Sequence, residues 1–267
     1  MQAREGERGA ALVTGASGGI GLEIARELAL KGYSLALAAR SEAKLRGAAD
    51  ELSKAHGVRV EALTVDLSRP EGPRELFAAM RALDMDPEVL VNNAGFGMHG
   101  PLANADEDRL LGLLQLNITS LAHLSRLLLP GMIARGRGRV LNTASTAGFV
   151  PGPFMAAYYA SKAFVLSFTV ALNEELRGTG VTATALCPGP TRSGFADTAG
   201  TSKSRLFQSA VMSARPVARI GVAGMLAGRS VVVPGLRNKA LTLSSGLGPR
   251  WLAAKVARSL QDPTDMT

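Results

Sequence analysis

Short, almost continuous apolar runs alternate along the chain with longer stretches in which apolar residues recur every three or four positions. The short runs are typical of strands that are buried on both faces, and the longer stretches are typical of amphipathic helices. Strands that alternate with helices form a parallel sheet with right-handed crossovers and helices on both faces. We therefore predict an α/β, Rossmann-like doubly wound fold with about seven parallel strands. The predicted strands cover residues 10–13, 34–39, 58–65, 89–91, 139–143, 181–186 and 230–233.

The predicted helices lie mainly between these strands. The longest covers residues 106–133, and Pro130 favours a break near its end because proline lacks the backbone N–H. Residues 191–213 show no clear periodicity, and a long loop in a compact domain is usually functional, so we predict a substrate loop there. Apolar residues at helical spacing predict a helical C-terminal tail over residues 236–260. The remaining predicted helices cover residues 19–31, 42–56, 70–83, 158–176 and 216–226.

A glycine-rich segment, TGASGGIG at residues 14–21, joins the first predicted strand to the first helix. Gly15 permits a tight turn, Gly19 lets the backbone approach a pyrophosphate, and Gly21 lets the helix pack closely on the strand. The N-terminus of the helix then offers backbone N–H groups to phosphates. An isolated match of this kind can be an ordinary turn, but its place at the start of a long α/β pattern favours a dinucleotide site. Ser17, Gly18 and Ile20 complete the predicted phosphate loop.

The length and composition fit one folded unit. A chain of 267 residues with 46% hydrophobic residues can bury one large core, and it has no linker or repeat, so we expect a single domain over residues 1–267. Residues 1–9 are charged, lack an apolar signal-peptide core and are expected to be flexible. Cys187 is the only cysteine, which excludes an internal disulfide. These features predict a cytoplasmic protein.

The net charge of +8 permits an anionic partner. We interpret the basic residues as scattered, and aromatic residues make up only 4% of the chain without a stacking motif. Binding of a polyanionic cofactor explains the charge better than binding of nucleic acid, which is not expected. The leucine-rich stretch at residues 109–133 is interrupted by Arg109, Asn117, His123 and Arg126, so it lacks the roughly 20 uninterrupted apolar residues that a membrane span needs, and no span is predicted.

The pair Tyr158 and Lys162 carries candidate acid/base chemistry. Residues four positions apart rise from one face of a helix, and an ammonium close to a phenol favours the phenolate, which lowers the pKa of the tyrosine toward working pH. An isolated tyrosine–lysine pair at this spacing more often lies on a solvent-exposed helix face and has no catalytic role. Ser145 lies thirteen residues upstream of Tyr158, at a spacing that lets its hydroxyl meet the phenol over one substrate oxygen. Tyr159 is the competing tyrosine, and we interpret it as a packing residue.

Seven motifs occur in one order, each at the end of a predicted strand or on the following helix. The sequence therefore resembles the short-chain dehydrogenases/reductases over nearly its whole length. The motifs are TGASGGIG at residues 14–21, Asp66-Leu67, Asn92-Asn93-Ala94-Gly95, Asn117, Ser145, Tyr158-x-x-x-Lys162 and Pro188-Gly189.

The resemblance implies reversible hydride transfer between a nicotinamide cofactor and a carbonyl or secondary alcohol. Ser145 would hold the carbonyl oxygen and Tyr158 would donate the proton. Lys162 would orient the nicotinamide ribose and tune Tyr158, and Asn117 would hold a water that links the lysine to solvent. No metal site is predicted.

The resemblance also implies the cofactor contacts. Asn92 and Asn93 end a predicted buried strand, where their amides can brace the neighbouring strand ends. The implied contacts are Asp66 to the adenine amino group, the backbone of Leu67, Ala94 and Gly95 beside the adenosine ribose, and Pro188, Gly189 and Thr191 beside the nicotinamide.

The end of the second predicted strand suggests which cofactor is used. An acidic residue about 20 residues past the glycine loop would accept the ribose hydroxyls of NAD, but this chain has Arg40 there. A guanidinium can hold a 2′-phosphate by paired hydrogen bonds, and Lys44 follows one turn later. The sequence therefore predicts that NADP(H) is preferred over NAD(H).

The expected substrate is apolar because the candidate pocket walls are apolar. Apolar residues all round the helices of Asn117 and Tyr158 also predict a homodimer or homotetramer. Two alternatives remain beside the reductase. One is a non-catalytic cofactor-sensing or scaffold protein of the same fold, and the other is an epimerase or dehydratase, which the G-x-x-x-G-x-G spacing disfavours. The candidate walls are Phe96, Pro151, Phe154, Met155 and Phe195.

Overall fold

A sheet of seven parallel strands forms the centre of the protein. The computed structural model describes residues 8–200, 211–244 and 249–261. The sheet consists of β1 Arg8–Thr14, β2 Tyr33–Ala39, β3 Val60–Thr64, β4 Pro87–Asn92, β5 Gly138–Thr143, β6 Val181–Leu186 and β9 Val231–Val232, and the short strands β7 Thr191–Arg192 and β8 Met212–Ser213 pair with each other. The strand order across the sheet is β3-β2-β1-β4-β5-β6-β9, so the direction of winding reverses between β1 and β4. A reversal of this kind opens a crevice at the carboxyl ends of the strands.

Helices connect the strands and cover both faces of the sheet. A π-helical turn, Gln115–Ser120, joins α4 to α5, and short 3₁₀ turns occur at Leu102–Asn104 and Thr146–Phe149. The helices are α1 Gly19–Leu30, α2 Glu42–His56, α3 Gly72–Ala82, α4 Glu107–Leu114, α5 Leu121–Ala134, α6 Ala156–Glu175, α7 Phe195–Ala199, α8 Ala214–Leu226, α9 Leu236–Ser244 and α10 Arg250–Gln261.

The core has two layers because successive strand residues point to opposite faces. Val13 packs with Ile24 of α1 and Leu45 of α2 on one face, whereas Leu12 packs with Leu76 of α3 and Leu124 of α5 on the other. All six side chains are buried. Burial on both faces explains why the strand sequences are continuous apolar runs. The arrangement confirms the predicted doubly wound fold.

Three local expectations are corrected by the structure. Pro130 does not break its helix, because α5 continues to Ala134 with the proline at an exposed position, and the missing N–H costs the helix only the hydrogen bond to the Arg126 carbonyl four residues earlier. The segment at residues 191–213 contains β7, α7 and β8 rather than only irregular chain, although residues 201–210 lie outside the described part. At the N-terminus, residues 8 and 9 belong to β1, while residues 1–7 of the predicted flexible segment are not described.

The predicted C-terminal tail forms two helices, α9 and α10. Within the described ranges, no helix combines the length and apolar character needed to cross a membrane.

Candidate active site

A cleft of about 1010 Å³ opens at the carboxyl ends of the strands, where the winding of the sheet reverses. It brings together residues that are far apart in the sequence, from the glycine loop to α6 and beyond. Gly21 and Asn117 lie behind its wall. The predicted residues that line it are Gly15, Ser17, Gly18, Gly19, Ile20, Arg40, Asp66, Leu67, Asn93, Ala94, Gly95, Phe96, Ser145, Met155, Tyr158, Lys162, Pro188, Gly189, Thr191 and Phe195.

The glycine loop has the shape that a phosphate-binding turn requires. Gly15 and Gly19 have left-handed backbones, with φ of 67° and 56°. A Cβ at Gly21 would lie 2.3 Å from the Gly15 carbonyl oxygen, so this glycine permits close packing of the helix on the turn rather than on the strand. A Cβ at Gly18 would meet nothing within 4 Å, and the first turn of α1 has neither a capping side chain nor an acidic residue. The residues present therefore fit the phosphates of a dinucleotide.

Buried amides hold the neighbouring strand ends in place. The Asn93 side chain donates to the Thr14 carbonyl (3.1 Å) and accepts from the Thr143 hydroxyl (3.3 Å), which connects β4 to β1 and β5. Behind it, the Asn92 amide donates to Asn142 Oδ1 at 2.9 Å. Because hydrogen-bonded buried amides have few alternative arrangements, the floor of the cleft is fixed, as the sequence predicts for these asparagines.

Ser145, Tyr158 and Lys162 meet in the cleft. Tyr158 and Lys162 are buried on α6, and the lysine Nζ lies 5.8 Å from the centroid of the phenol ring. The Lys162 ammonium donates to the Thr143 carbonyl at 2.7 Å. Ser145 accepts from the Ala147 N–H at 3.1 Å and donates to the Pro188 carbonyl at 3.4 Å. The serine hydroxyl is thus held at the carboxyl end of β5, close to the phenol.

The pKa of Tyr158 differs from the sequence expectation. Burial raises the pKa of Tyr158 above its ordinary value, and a hydrogen bond with Ser145 only partly opposes this change. The expected lowering by Lys162 is wrong for this structure, because the ammonium is directed to the Thr143 carbonyl rather than to the phenol oxygen. Burial lowers the pKa of Lys162 to about 8. At neutral pH Tyr158 therefore carries its proton, which is the form that a proton donor needs.

Asn117 lies in the π-helical turn and acts as a brace. Its amide donates to the Phe96 carbonyl and the Ser161 hydroxyl, each at 3.0 Å, and its oxygen accepts from the Phe96 N–H at 3.2 Å. A Cβ at Gly95 would lie 2.9 Å from that oxygen. The side chain thus fixes the loop after β4 against α6. The water-holding role implied by the resemblance stays a prediction.

Positive side chains surround the end of the cleft beside β2. Arg40 and Lys44 line the cleft there, opposite Asp66. Burial alone would raise the pKa of Asp66, but hydrogen bonds from Ser68 and the positive charges of Arg40 and Arg69 lower it below its ordinary value. The carboxylate is therefore ionised at neutral pH and available as a hydrogen-bond acceptor.

The segment after β6 contains cleft residues that the sequence analysis missed, namely Pro190, Ser193, Gly194 and Thr198. Ser193 lines the cleft, and a Cβ at Gly19 would lie 2.8 Å from the Cβ of Ser193, so this serine contacts the phosphate loop. Its only sequence signal is its position two residues after Thr191. Cys187 is buried and burial raises the pKa of its thiol to about 12, so this thiol is not a candidate nucleophile.

The apolar end of the cleft differs in part from the expected walls. Phe195 lies over Tyr158, with ring centroids 5.0 Å apart. Pro151 and Phe154 do not line the cleft: the left-handed backbone of Phe154 (φ 62°) turns the chain before α6, and its ring contacts Arg258 and His99 instead. The sequence pattern also does not place the C-terminal tail at the cleft. Helical periodicity indicates that a segment packs against the protein, but it does not indicate which surface the segment contacts. Wall residues that the sequence analysis missed include Phe149, Val150, Leu241, Leu252, Ala253, Val256 and Ala257.

Arg109 of α4 connects two parts of this apolar end. Its guanidinium donates to the Thr198 carbonyl of α7 at 2.5 Å and lies 5.9 Å from the Phe96 ring centroid. We expect Arg109→Ala to loosen α7 and raise KM for the substrate about 3- to 10-fold with a smaller change in kcat, because Arg109 does not line the cleft. Steady-state kinetics would measure this. Arg126→Ala, at an exposed position on α5, is the control, and an equal effect there would contradict the assignment.

The fold and the site define a Rossmann-like protein with a dinucleotide-type glycine loop and a serine, a tyrosine and a lysine at one cleft. A family model described as short chain dehydrogenase matches residues 9–204. The chain belongs to this family.

Individual relatives agree with this assignment. A short-chain dehydrogenase from Sphingobium yanoikuyae, solved in complex with NADPH, has a TM-score of 0.79 and 33% identity, over 90% of this chain and 95% of that one. A putative ketoacyl reductase from Streptomyces coelicolor is 41% identical over 67% of this chain and 69% of its own length. A very-long-chain 3-oxoacyl-CoA reductase from Phaeosphaeria nodorum is 36% identical over 66% of this chain. The chain spans only about half, 53%, of that relative's length.

Proposed function

We propose that the protein is an NADP-dependent reductase that transfers a hydride reversibly between NADP(H) and the carbonyl or secondary alcohol of an apolar substrate. The observation that carries this proposal is the meeting of Ser145, Tyr158 and Lys162 in one cleft with the glycine loop. The alternative, a cofactor-sensing or scaffold protein without turnover, has no use for a buried tyrosine beside a serine hydroxyl and a lysine.

Each of these side chains has a separate task in the reductive direction. When bound, the nicotinamide cofactor supplies the hydride to the carbonyl carbon. Ser145 donates a hydrogen bond to the carbonyl oxygen and so fixes its position beside the phenol. Tyr158 gives its proton to that oxygen as negative charge develops there. The Lys162 ammonium then stabilises the resulting phenolate until a proton returns from solvent.

The dinucleotide would be held along the cleft by groups that the fold already positions. The N-terminus of α1 and the glycine loop would receive the phosphates. Arg40 and Lys44 would receive a 2′-phosphate, which favours NADPH, and the ionised Asp66 would accept from the adenine amino group. The NADPH complex of the Sphingobium yanoikuyae relative supports the choice of cofactor.

The substrate class follows from the apolar end of the cleft. Phe96, Met155 and Phe195 offer aromatic and aliphatic surface close to Tyr158, which suits a hydrocarbon chain or ring better than a sugar. Two of the relatives are named as reductases of oxoacyl or ketoacyl substrates, so 3-oxoacyl thioesters are the first compounds to test.

A screen of carbonyl compounds tests the proposal as a whole. Purified full-length protein is mixed with NADPH and with 3-oxoacyl thioesters, aromatic ketones, aldehydes or sugars, and consumption of NADPH is followed by its absorbance. The proposal predicts turnover of at least one apolar carbonyl compound and little turnover of sugars. Binding of NADPH without turnover of any compound would favour the scaffold alternative.

Lys162→Ala should impair both cofactor binding and rate, because the lysine serves the ribose and the phenolate alike. The pH profile gives a second readout. The pKa of Lys162 is about 8, so its ammonium is lost as pH rises through that value, and wild-type kcat should fall above it. Titration of cofactor and a kcat profile against pH would measure both effects. Unchanged cofactor affinity in Lys162→Ala, with normal affinity in the surface control Lys54→Ala, would contradict this role.

We also propose that the protein forms a homodimer or homotetramer through α4, α5 and α6. The apolar residues expected to form the contact include Leu113 of α4 and Leu172 of α6, but both are buried within the chain and do not contribute. Leu111 and Phe164 are exposed, and Phe164 stacks on Phe168 with the ring planes 10° apart. Phe164→Glu should reduce the mass measured by light scattering at micromolar concentration, whereas Leu30→Glu on α1 should not. A monomeric wild type would refute this proposal.

A further inference from the structure

The positive charge of the chain is concentrated in its C-terminal quarter. Residues 1–197 contain 20 basic and 20 acidic residues, so they have no net charge. Residues 198–261 contain 10 basic and no acidic residues, and Asp262 and Asp265 reduce the total to +8. The interpretation of the basic residues as scattered is therefore wrong. An acid-free stretch of this length requires a structural explanation.

The helices α9 and α10, called here the C-terminal pair, combine this charge with exposed apolar surface. Of the fourteen large apolar side chains that are exposed in the described ranges, six lie on these two helices. Leu236 is 84% exposed, Leu243 78% and Trp251 62%. Lys255 lies with its Nζ 5.2 Å from the centroid of a Trp251 ring, so cation and aromatic surface are adjacent. The pair is thus amphipathic and basic.

No acidic side chain of the described structure neutralises these cations. Every ion pair found within the described ranges involves residues up to Arg177 and none beyond it. Arg237, Lys239 and Lys255 are exposed. The positive potential of the C-terminal pair is therefore directed at solvent and available to an anionic partner.

The C-terminal pair also forms part of the cleft. Leu241 and Thr242 of α9, and Leu252 and Val256 of α10, line it. The basic, apolar surface therefore continues into the apolar end of the candidate active site. A partner bound to this surface lies next to the place where an apolar substrate enters.

We propose that the C-terminal pair binds the surface of an anionic phospholipid bilayer, with both helices in the plane of the headgroups. Amphipathic helices with lysine and arginine on one side and tryptophan and leucine on the other bind membranes in this way. Tryptophan is the residue that most favours the headgroup region, and each basic residue near an anionic surface adds to the attraction. An apolar substrate dissolved in lipid would then reach the cleft without crossing water.

Two other occupants fit the surface less well. A second copy of the chain related by a two-fold axis would place the same acid-free basic surface against itself, with no carboxylate to offset the repulsion. Nucleic acid would satisfy the charges through its phosphates but would leave the exposed leucines in water. A bilayer satisfies both properties of the surface.

Trp251 is the only tryptophan of the chain, so its fluorescence reports on this surface alone. Full-length protein is mixed with vesicles of equal parts phosphatidylcholine and phosphatidylglycerol, and with vesicles of phosphatidylcholine only. We expect a shift of the emission to shorter wavelength and co-sedimentation with the anionic vesicles, both weakened by added salt. No binding to anionic vesicles, or stronger binding to DNA than to vesicles, would overturn the proposal.

Matched variants distinguish this surface from net charge. Arg237→Glu with Lys255→Glu should weaken co-sedimentation by at least about tenfold, whereas Lys31→Glu with Lys54→Glu, which changes the charge equally on α2 and after α1, should change it little. Leu236→Ser with Leu243→Ser should weaken binding while all charges remain. Thermal unfolding of each variant identifies loss of folding. Equal losses in the two charge variants, normal binding by the leucine variant, or a loss of dimer in place of a loss of vesicle binding would overturn the proposal.

Discussion

Tyr158→Phe is expected to lower kcat by about 100- to 10,000-fold, which is the usual contribution of a positioned acid/base group. Phenylalanine keeps the ring that packs against Phe195 and loses only the proton donor, so the affinity for NADPH should change little. Steady-state measurement of NADPH consumption gives kcat, and titration of the protein with NADPH gives the affinity for the cofactor, so the two quantities are determined separately.

Tyr159→Phe is the matched control for this experiment. Tyr159 is also buried on α6 and also lines the cleft, but its ring packs against Gly152 and meets Tyr158 edge-on with centroids 6.0 Å apart. We expect at most a few-fold effect on kcat. If Tyr159→Phe is inactive and Tyr158→Phe is not, the assignment of the proton donor is wrong.

Arg40→Asp is expected to reverse the cofactor preference. A charge-assisted hydrogen bond contributes about 1.5 to 3 kcal/mol, so loss of the guanidinium should weaken NADPH binding by at least about tenfold. The new carboxylate would repel a 2′-phosphate and accept from the ribose hydroxyls of NADH. Ratios of kcat/KM for NADPH and NADH, in wild type and variant, measure the reversal.

Arg46→Asp provides a control with the same change of charge on the same side of the protein. Arg46 is exposed on α2, pairs with Glu42 and does not line the cleft, so its replacement should leave the ratio unchanged. Equal use of NADPH and NADH by the wild type would contradict the proposed role of Arg40. Unchanged affinity of Arg40→Ala for NADPH would contradict it as well.

The strand and helix pattern was sufficient to predict the sheet because these strands are buried on both faces. Leu35, Leu37 and their neighbours leave almost no polar residue in β2, so the run indicates a strand with little ambiguity. The carboxyl ends of parallel strands meet at one edge, which is why residues as distant as Gly15, Ser145 and Thr191 line one cleft. Fold and cleft position therefore follow from local patterns.

Other features depend on tertiary contacts that no local pattern contains. The direction of the Lys162 ammonium is decided by the Thr143 carbonyl on a different element, and the pKa of Tyr158 is raised by burial in the folded chain. The backbone of Phe154 is left-handed although phenylalanine rarely adopts that conformation, so a plausible pocket residue turns away. The place of α10 against the cleft depends on packing between distant segments.

The transfer of deuterium from the cofactor to the product tests the central claim most directly. The protein is incubated with NADPH in which both hydrogens of the reactive nicotinamide carbon are replaced by deuterium and with a carbonyl compound that it turns over, and the alcohol is analysed by mass spectrometry. Direct hydride transfer predicts one deuterium on the former carbonyl carbon with wild type and almost no product with Tyr158→Phe. An alcohol without deuterium, or equal product from Tyr158→Phe, would contradict the account.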